Sequence, residues 1–167
     1  MQHALISHAQ WTNHFTPHYI QTNITFHTEQ MGIDISGNEA TLFIFDNRWG
    51  GNKVLNIAEK DQLIIQKAFS AIKGAKNIQP YKRVAVLTNL TLSMELNELE
   101  KVAENMLLLI SNTLSDELQV EALISVTNEM EIESKVFNIE QTFKRAAFIE
   151  KNGVMMKFIN SKSAAIS

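Results

Sequence analysis

The chain has 167 residues, of which 45% are hydrophobic and 20% charged, and it contains no cysteine. These values suit one globular domain with a full core, and the lack of cysteine excludes disulfides, thiolate catalysis and cysteine-ligated zinc. The net charge of −3 and the scattered basic residues exclude a nucleic-acid surface, which needs clustered Lys and Arg, and disfavour an anionic membrane surface.

The first part of the chain predicts a helix followed by three strands. A sparse apolar pattern predicts a short helix over 1–18. Alternating apolar residues predict a strand over 20–26. Further strands are predicted over 31–36 and 40–46, and the Gly37-Asn38 turn between them favours an antiparallel hairpin.

The second part of the chain alternates helices with strands. Apolar residues at helical spacing predict the helices, and near-continuous apolar runs predict strands that are covered on both faces. Strands that alternate with helices need crossover connections, so this part of the sheet should be parallel or mixed. Asn128-x-x-Glu131 has the form of a capping box. The predicted helices lie around 65–72, 94–113 and 132–143, and the predicted strands over 83–90, 120–127 and 145–150.

The C-terminal stretch EKNGVMMKFI fits two structures. Asn152-Gly153 is a strong hairpin signal, which would make 154–159 a strand. Met155, Phe158 and Ile159 also share one helical face, and Met and Lys favour a helix over a strand. We predict a helix over 152–160, with the hairpin as the alternative.

The glycine pair after the third predicted strand is the first candidate for chemistry. Gly50-Gly51-Asn52-Lys53 lacks the glycine spacing and the Ser/Thr of a phosphate-binding loop. We therefore interpret it as a corner between a strand and a helix, with Trp49 as a cover over the end of the core. The alternative is a binding site for a small apolar or anionic ligand, formed by Trp49, Gly50, Gly51 and Lys53.

The sequence offers few residues for metal binding or catalysis. All five histidines lie within the first 27 residues, and the i, i+4 pair of His14 and His18 is interrupted by Pro17. There is no Gly-x-Ser-x-Gly elbow, and no histidine follows residue 27 to act as a base. Carboxylates in EMEIE, at 129–133, face apart on a helix. We therefore predict no catalytic residue, no metal and no cofactor.

The predicted helix over 94–113 has more apolar side chains than one packing face requires. Its core stripe runs from Leu96 to Ile110, and Leu107, Leu108 and Leu109 continue the apolar surface around the helix. A neighbouring helix, the N-terminal segment with its Leu5, Ile6 and Trp11, or a second subunit could cover these leucines. A homodimer with an interface at Leu107, Leu108 and Leu109 is thus one of three open alternatives.

Four segments resemble parts of a known fold: GIDISGNEATLFIFDNRWG, YKRVAVLTNLT, VEALISVTN and AFIEKNGVMMKFINS. Together they resemble the STAS-like fold and, within it, the SpoIIAA-like proteins of bacteria. The last segment is similar to the family's closing strand and helix, with Phe158 in place of the usual Trp. The resemblance implies an α/β domain over 26–162 with a mixed sheet of five to six strands, an N-terminal hairpin and alternating helices. Residues 1–25 would be an extension and 163–167 a flexible C-terminus.

The resemblance implies a non-catalytic module that regulates through protein partners. In anti-sigma-factor antagonists a serine at the start of the helix after the central strand is phosphorylated within an Asp-Ser pair. The nearest candidate here is Ser93, which follows Leu92 instead of Asp. The alternative is that Ser93 is only the N-cap of that helix.

The predicted function is regulation by protein contact, with the partner unidentified. The runner-up is a small-ligand module, and an enzyme of unspecified type ranks third. The first 15 residues lack the basic and apolar regions of a signal peptide, and no apolar run approaches the ~20 residues that cross a bilayer. We therefore expect a protein of a bacterial cytoplasm.

Overall fold

A computed structural model describes residues 5–46, 57–73, 83–93, 95–127, 138–151 and 153–159. Within these residues the chain forms eight strands and three helices. The strands are β1 (Leu5–Phe15), β2 (Tyr19–Gln30), β3 (Ile33–Ile35), β4 (Glu39–Asp46), β5 (Arg83–Thr91), β6 (Ala122–Ser125), β7 (Ile149–Lys151) and β8 (Val154–Phe158). The helices are α1 (Glu59–Lys73), α2 (Leu99–Glu117) and α3 (Ile139–Arg145).

All eight described strands belong to one mixed sheet. Its order is β1-β2-β4-β5-β6-β8-β7, and the short β3 pairs with β2. Strands β5 and β6 are parallel, as predicted, and every other pair among the described strands is antiparallel. The predicted STAS-like sheet of five to six strands is therefore wrong. The sheet has more strands because the segments at both ends of the described chain, which we predicted as helices, are extended.

The N-terminal segment is a strand because it has a partner along its whole length. Strand β1 pairs with β2 from Leu5↔Glu29 to Phe15↔Ile20. Ala9 and Trp11 pack against the core while Gln10 and Thr12 are exposed, which is the period of a strand and not of a helix. The helix predicted over 1–18 is thus wrong.

The tight hairpin turn lies at Met31-Gly32 and not at Gly37-Asn38. Met31 and Gly32 have φ values of 54° and 75°, and the positive sign at both positions is that of a type I′ turn. Strands β3 and β4 both pair with β2, so together they form one interrupted partner strand. The predicted hairpin between 31–36 and 40–46 is therefore wrong: Gly37-Asn38 forms the interruption.

Helices cover both faces of the central strands. Helices α2 and α3 pack on one face, where the core includes Ala85 and Leu87 of β5. Helix α1 packs on the other face, where the core includes Val84 and Val86. The prediction that β5 is covered on both faces is confirmed, and the helical pattern over 65–72 lies within α1 as predicted.

Two predicted helix boundaries were shifted. Helix α2 begins at Leu99, five residues after the predicted start, because residues before it form a turn in which the Leu96 N–H donates to the Ser93 carbonyl. Helix α3 is capped by Asn138, whose side chain accepts the Gln141 N–H at 3.1 Å. The predicted capping box at 128–131 lies outside the described residues. Of the strand predicted over 145–150, only the end is extended, since β7 begins at Ile149.

The described chain ends in a hairpin. Strand β8 pairs antiparallel with both β6 and β7, and Gly153 in the turn has a φ of 83°. Met155 belongs to the core on the α2 face, while Val154 and Met156 belong to the core on the α1 face. The helix predicted over 152–160 is therefore wrong, and the Asn-Gly signal indicated the correct structure.

Candidate functional site

Half of the predicted site residues cannot be placed. Trp49, Gly50, Gly51 and Lys53 lie outside the described residues. The corner interpretation and the ligand-site hypothesis both stay predictions.

Ser93 lies in the loop between β5 and α2 and does not cap the helix. Its hydroxyl accepts the Glu95 N–H at 3.3 Å, within the turn that precedes α2. The N-cap of α2 is Glu98, whose side chain makes no capping hydrogen bond. The N-cap interpretation of Ser93 is therefore wrong, and its phosphorylation stays a prediction.

A buried asparagine that sequence reasoning missed holds this loop in place. Asn38 is 0% exposed, and its Oδ1 accepts the Ser93 N–H at 2.9 Å. Its Nδ2 donates to Thr28 Oγ1 at 2.7 Å and to the Ile35 carbonyl at 3.2 Å. Its only signal in the sequence is its place after Gly37, in the pair that predicts a hairpin turn. Asn38 thus joins β2, β3 and the loop before α2 through one side chain.

A second amide side chain ties the same loop to β2. Gln30 donates through Nε2 to the Glu95 carbonyl at 3.1 Å and accepts the Asn97 N–H at 2.7 Å. With Asn38, it attaches the segment before α2 to the β2–β3 hairpin at two points.

The three leucines singled out in the sequence divide into two environments. Leu107 is 0% exposed and belongs to the core, so it cannot take part in an interface. Leu108 and Leu109 are 36% and 37% exposed. The N-terminal segment covers part of this side of the domain, since Ile6 and Trp11 of β1 pack against the same core cluster.

The described residues contain no group of three or more metal-ligating side chains. Burial raises the pKa of Asp61 at the start of α1, and the neighbouring Lys60 opposes that rise. Burial also lowers the pKa of Lys157, whose ammonium lies 5.8 Å from the centre of the Phe148 ring. Asp61 is on the α1 side of the sheet and Lys157 on the α2 side, so the two cannot work as an acid–base pair.

Two histidines brace the β1–β2 hairpin where its register shifts. The rings of His8 and His27 are stacked, with centroids 4.1 Å apart and planes at 14°. Ser7, at the shift, donates to the His27 carbonyl at 3.0 Å. The nitrogen lone pairs lie in the ring planes, and because these planes are nearly parallel the two rings cannot converge on one metal ion. His27 Nε2 is buried without a hydrogen-bond partner among the described residues.

The α1 side of strands β1, β2, β4 and β5 carries an open surface that we call the polar sheet face. Cross-strand pairing aligns its side chains in rows, such as Thr12–Asn23–Thr41–Asn89, and Thr41 donates to Asn23 Oδ1 at 3.2 Å. Every member is exposed or partly exposed, and Glu39 is the only Asp, Glu, Lys or Arg among the twelve. The face consists of His8, Gln10, Thr12, His14, Gln21, Asn23, Thr25, His27, Glu39, Thr41, Asn89 and Thr91. Next to the β2–β3 turn the same side of the sheet continues with Leu5, Glu29 and Asp34, so two charged side chains border the face at that end.

A cleft lies between α1 and the β7–β8 turn. Its volume is about 590 Å³, and Leu63, Lys67 and Ser70 of α1 line one wall while Val126 and Val154 line the other. The volume falls in the range of small-molecule sites, which is roughly 300–1,000 Å³. The lining combines apolar, amide, hydroxyl and ammonium groups, and it contains no general base among the described residues.

Comparison with known proteins does not assign the chain to a family. No protein-family model matches it, and no curated protein does. In the part of the chain that the structure describes, none of the helices has the length and apolar character needed to cross a bilayer.

Proposed function

We propose that the chain is a non-catalytic regulatory module of the cytoplasm that binds another protein through the polar sheet face. The observation that carries the proposal is the scarcity of charge within this open surface, which is bordered by Glu29 and Asp34 only at the end next to the β2–β3 turn. Charged residues make up 20% of the chain but one of the twelve residues on the face. Ordinary protein surfaces carry about 25–35% charged residues, whereas the centres of protein interfaces are depleted in them.

The shape and chemistry of the face also favour a protein partner. Two rows of mostly small hydroxyl and amide side chains cross four strands, which gives a broad surface with many hydrogen-bond donors and acceptors. No Phe, Tyr or Trp belongs to the face, so it lacks the stacking surfaces that single-stranded nucleic acids require. The net charge of −3 also disfavours nucleic acid as the partner.

Capture from the native host with matched variants tests this function. The wild-type chain, an Asn23→Lys/Thr25→Lys variant of the face and an Asn112→Lys/Gln141→Lys control would be immobilised in parallel. Both variants add two positive charges at exposed positions, the first on a strand and the control on helices. We expect a defined protein, identified by mass spectrometry, to be retained by the wild type and the control and lost from the face variant. Equal retention by all three chains would contradict the proposal.

The cleft beside α1 supports a second candidate, a small-ligand module. Its size and its mixed lining of Leu63, Lys67 and Ser70 suit a small amphipathic anion. Thermal-shift screening of carboxylate and phosphate compounds against the wild type and a Ser70→Trp variant tests it. Stabilisation that Ser70→Trp abolishes would favour this candidate, and no stabilisation by any compound would remove it.

A further inference from the structure

The two edges of the sheet differ in length and charge. Among the described strands, β7 forms one edge with three residues, of which Glu150 and Lys151 are charged. Strand β1 forms the other edge of this described sheet with eleven residues, LISHAQWTNHF, which include no Asp, Glu, Lys, Arg or Pro. Short length, charge, proline and β-bulges are the usual means by which proteins prevent edge pairing. Strand β7 has two of these features, and β1 has only the register shift near Ser7.

From this contrast we infer that two copies of the chain pair antiparallel through the outer edges of β1, so that the two sheets become one. The inference rests on the proposed function, which is contact with another protein. It identifies a second copy of the chain as the protein bound at the β1 edge. An uncharged strand is complementary to itself, because no like charges meet across the two-fold axis. An eleven-residue antiparallel pair supplies about ten backbone hydrogen bonds.

The side chains beside the edge support the same arrangement. A two-fold axis perpendicular to the sheet brings the C-terminal end of each β1 next to the N-terminal end of the other. Phe15, which is 69% exposed at the end of β1, would then lie near the partner subunit's Ile6. Both residues are on the α2 side, since Phe15 pairs with Ile20 and Ile6 packs against the α2 core.

Helix α2 also contributes an apolar side chain on this flank. Arg145 of α3 contacts Glu100 and Glu104, which identifies the side of α2 that faces α3. Leu109 is nine residues from Glu100, so at 3.6 residues per turn it lies roughly 180° around the helix. It therefore points away from α3, and because α2 also contacts β1, this side of the helix is the one nearest the β1 edge, where the two-fold axis would place Leu109 near the partner subunit's α2.

The available surface is large enough for a stable pair. Eleven residues of strand span roughly 37 Å. A sheet layer about 10 Å deep with a helix layer about 10 Å across on one side gives an upper limit of roughly 700 Å² for the contact area on each copy. Standard stable interfaces bury about 800 Å² on each partner.

Sedimentation velocity with matched lysine variants tests the pairing. The variant Gln10→Lys/Thr12→Lys places charges on β1 at exposed positions, and Asn23→Lys/Thr25→Lys places the same charges on the neighbouring interior strand β2. We expect a wild-type dimer at about 100 μM, a dissociation constant raised at least about tenfold by the β1 variant, and little change from the β2 variant. A monomeric wild type, or equal weakening by both variants, would overturn the inference.

Cysteine trapping gives an independent result that does not depend on charge. Because the natural chain has no cysteine, single substitutions Gln10→Cys, Thr12→Cys and Asn23→Cys can be compared without background. We expect an intermolecular disulfide to form readily at one of the two β1 positions and not at Asn23. Crosslinking only at Asn23, or at none, would overturn edge pairing. If the Asn23→Lys/Thr25→Lys variant no longer retains the host protein but still forms the dimer, partner binding and pairing of the two copies use different surfaces. The two proposals can therefore fail independently.

Discussion

Substitution of Asn38 by alanine should be the most destabilising change among the polar residues that the structure describes. The side chain is fully buried and makes three hydrogen bonds: two from Nδ2, to Thr28 Oγ1 and the Ile35 carbonyl, and one accepted from the Ser93 N–H. Alanine removes all three. Thr28 Oγ1 still donates to the Ile35 carbonyl at 2.6 Å, so the group left without a partner is the Ser93 N–H.

The expected loss follows from these contacts. A net hydrogen bond contributes about 1 kcal/mol, and leaving the partly buried Ser93 N–H without a partner costs roughly a further 1 kcal/mol. We therefore expect Asn38→Ala to lower the free energy of unfolding by about 3–5 kcal/mol. For a chain of this length, 1 kcal/mol corresponds to about 2–4 °C in Tm, so the melting temperature should fall by roughly 10 °C.

Urea denaturation monitored by circular dichroism measures this loss. Asn23→Ala is the matched control, because Asn23 is exposed on the polar sheet face and should change stability by less than about 0.5 kcal/mol. A double-mutant cycle with Thr28→Val isolates the Asn38–Thr28 contact, for which we expect a coupling of about 1 kcal/mol. If Asn38→Ala costs no more than the Asn23 control, the network does not hold the loop and the reasoning is refuted.

Three further substitutions test other parts of the structure. Leu107→Ala should destabilise the protein by about 2–5 kcal/mol because it leaves a core cavity. Leu108→Ala should cost less than about 1 kcal/mol because this side chain is partly exposed. Equal losses of unfolding free energy in urea denaturation would contradict the different burial of the two leucines. Met31→Asn should stabilise the chain by roughly 1 kcal/mol, because Asn tolerates the positive φ of 54° better than Met, and a lower Tm would contradict the type I′ turn. Burial lowers the pKa of Lys157, so its charge destabilises the fold below that pKa, and the penalty disappears as the pH approaches the ordinary lysine value of 10.5. Lys157→Met should therefore raise the stability at neutral pH, with a difference that narrows in alkaline solution; a gain that does not depend on pH would point to packing instead.

The central strands were predictable because their burial is visible in local composition. Strand β5 is apolar at nearly every position, which requires cover on both faces, and helices supply it. The change to helical spacing in α1, and the return to an apolar run in β6, then required a crossover and a parallel pair. These features depend on short-range pattern alone.

The two ends of the described chain were predicted as helices because their strands depend on partners distant in sequence. Strand β8 owes its extended form to β6, far earlier in the chain, where Ala122 pairs with Phe158. The helical face of Met155, Phe158 and Ile159 was compatible with the sequence, and the family resemblance favoured it. The local Asn-Gly turn was the more reliable observation, because it acts on the backbone whatever surrounds it.

The polar sheet face could not be predicted because it is assembled from four separate strands. In the row Thr12–Asn23–Thr41–Asn89, each residue is ordinary in its own segment. Only the sheet order brings them together. Asn38 is similar: its partners Thr28 and Ser93 lie 10 and 55 residues away along the chain.

The β1 edge shows how a feature visible in the sequence acquires meaning from topology. The absence of charge from Leu5 to Phe15 could be read directly, yet in a terminal helix it would have had no consequence for association. In an interior strand the same composition would only reflect burial. At the edge of a sheet it leaves backbone donors and acceptors without the charges that normally prevent pairing. The opposite edge, β7, is short and charged, so the lack of charge on β1 is not a general feature of this sheet. Association is therefore expected through β1 and not through β7.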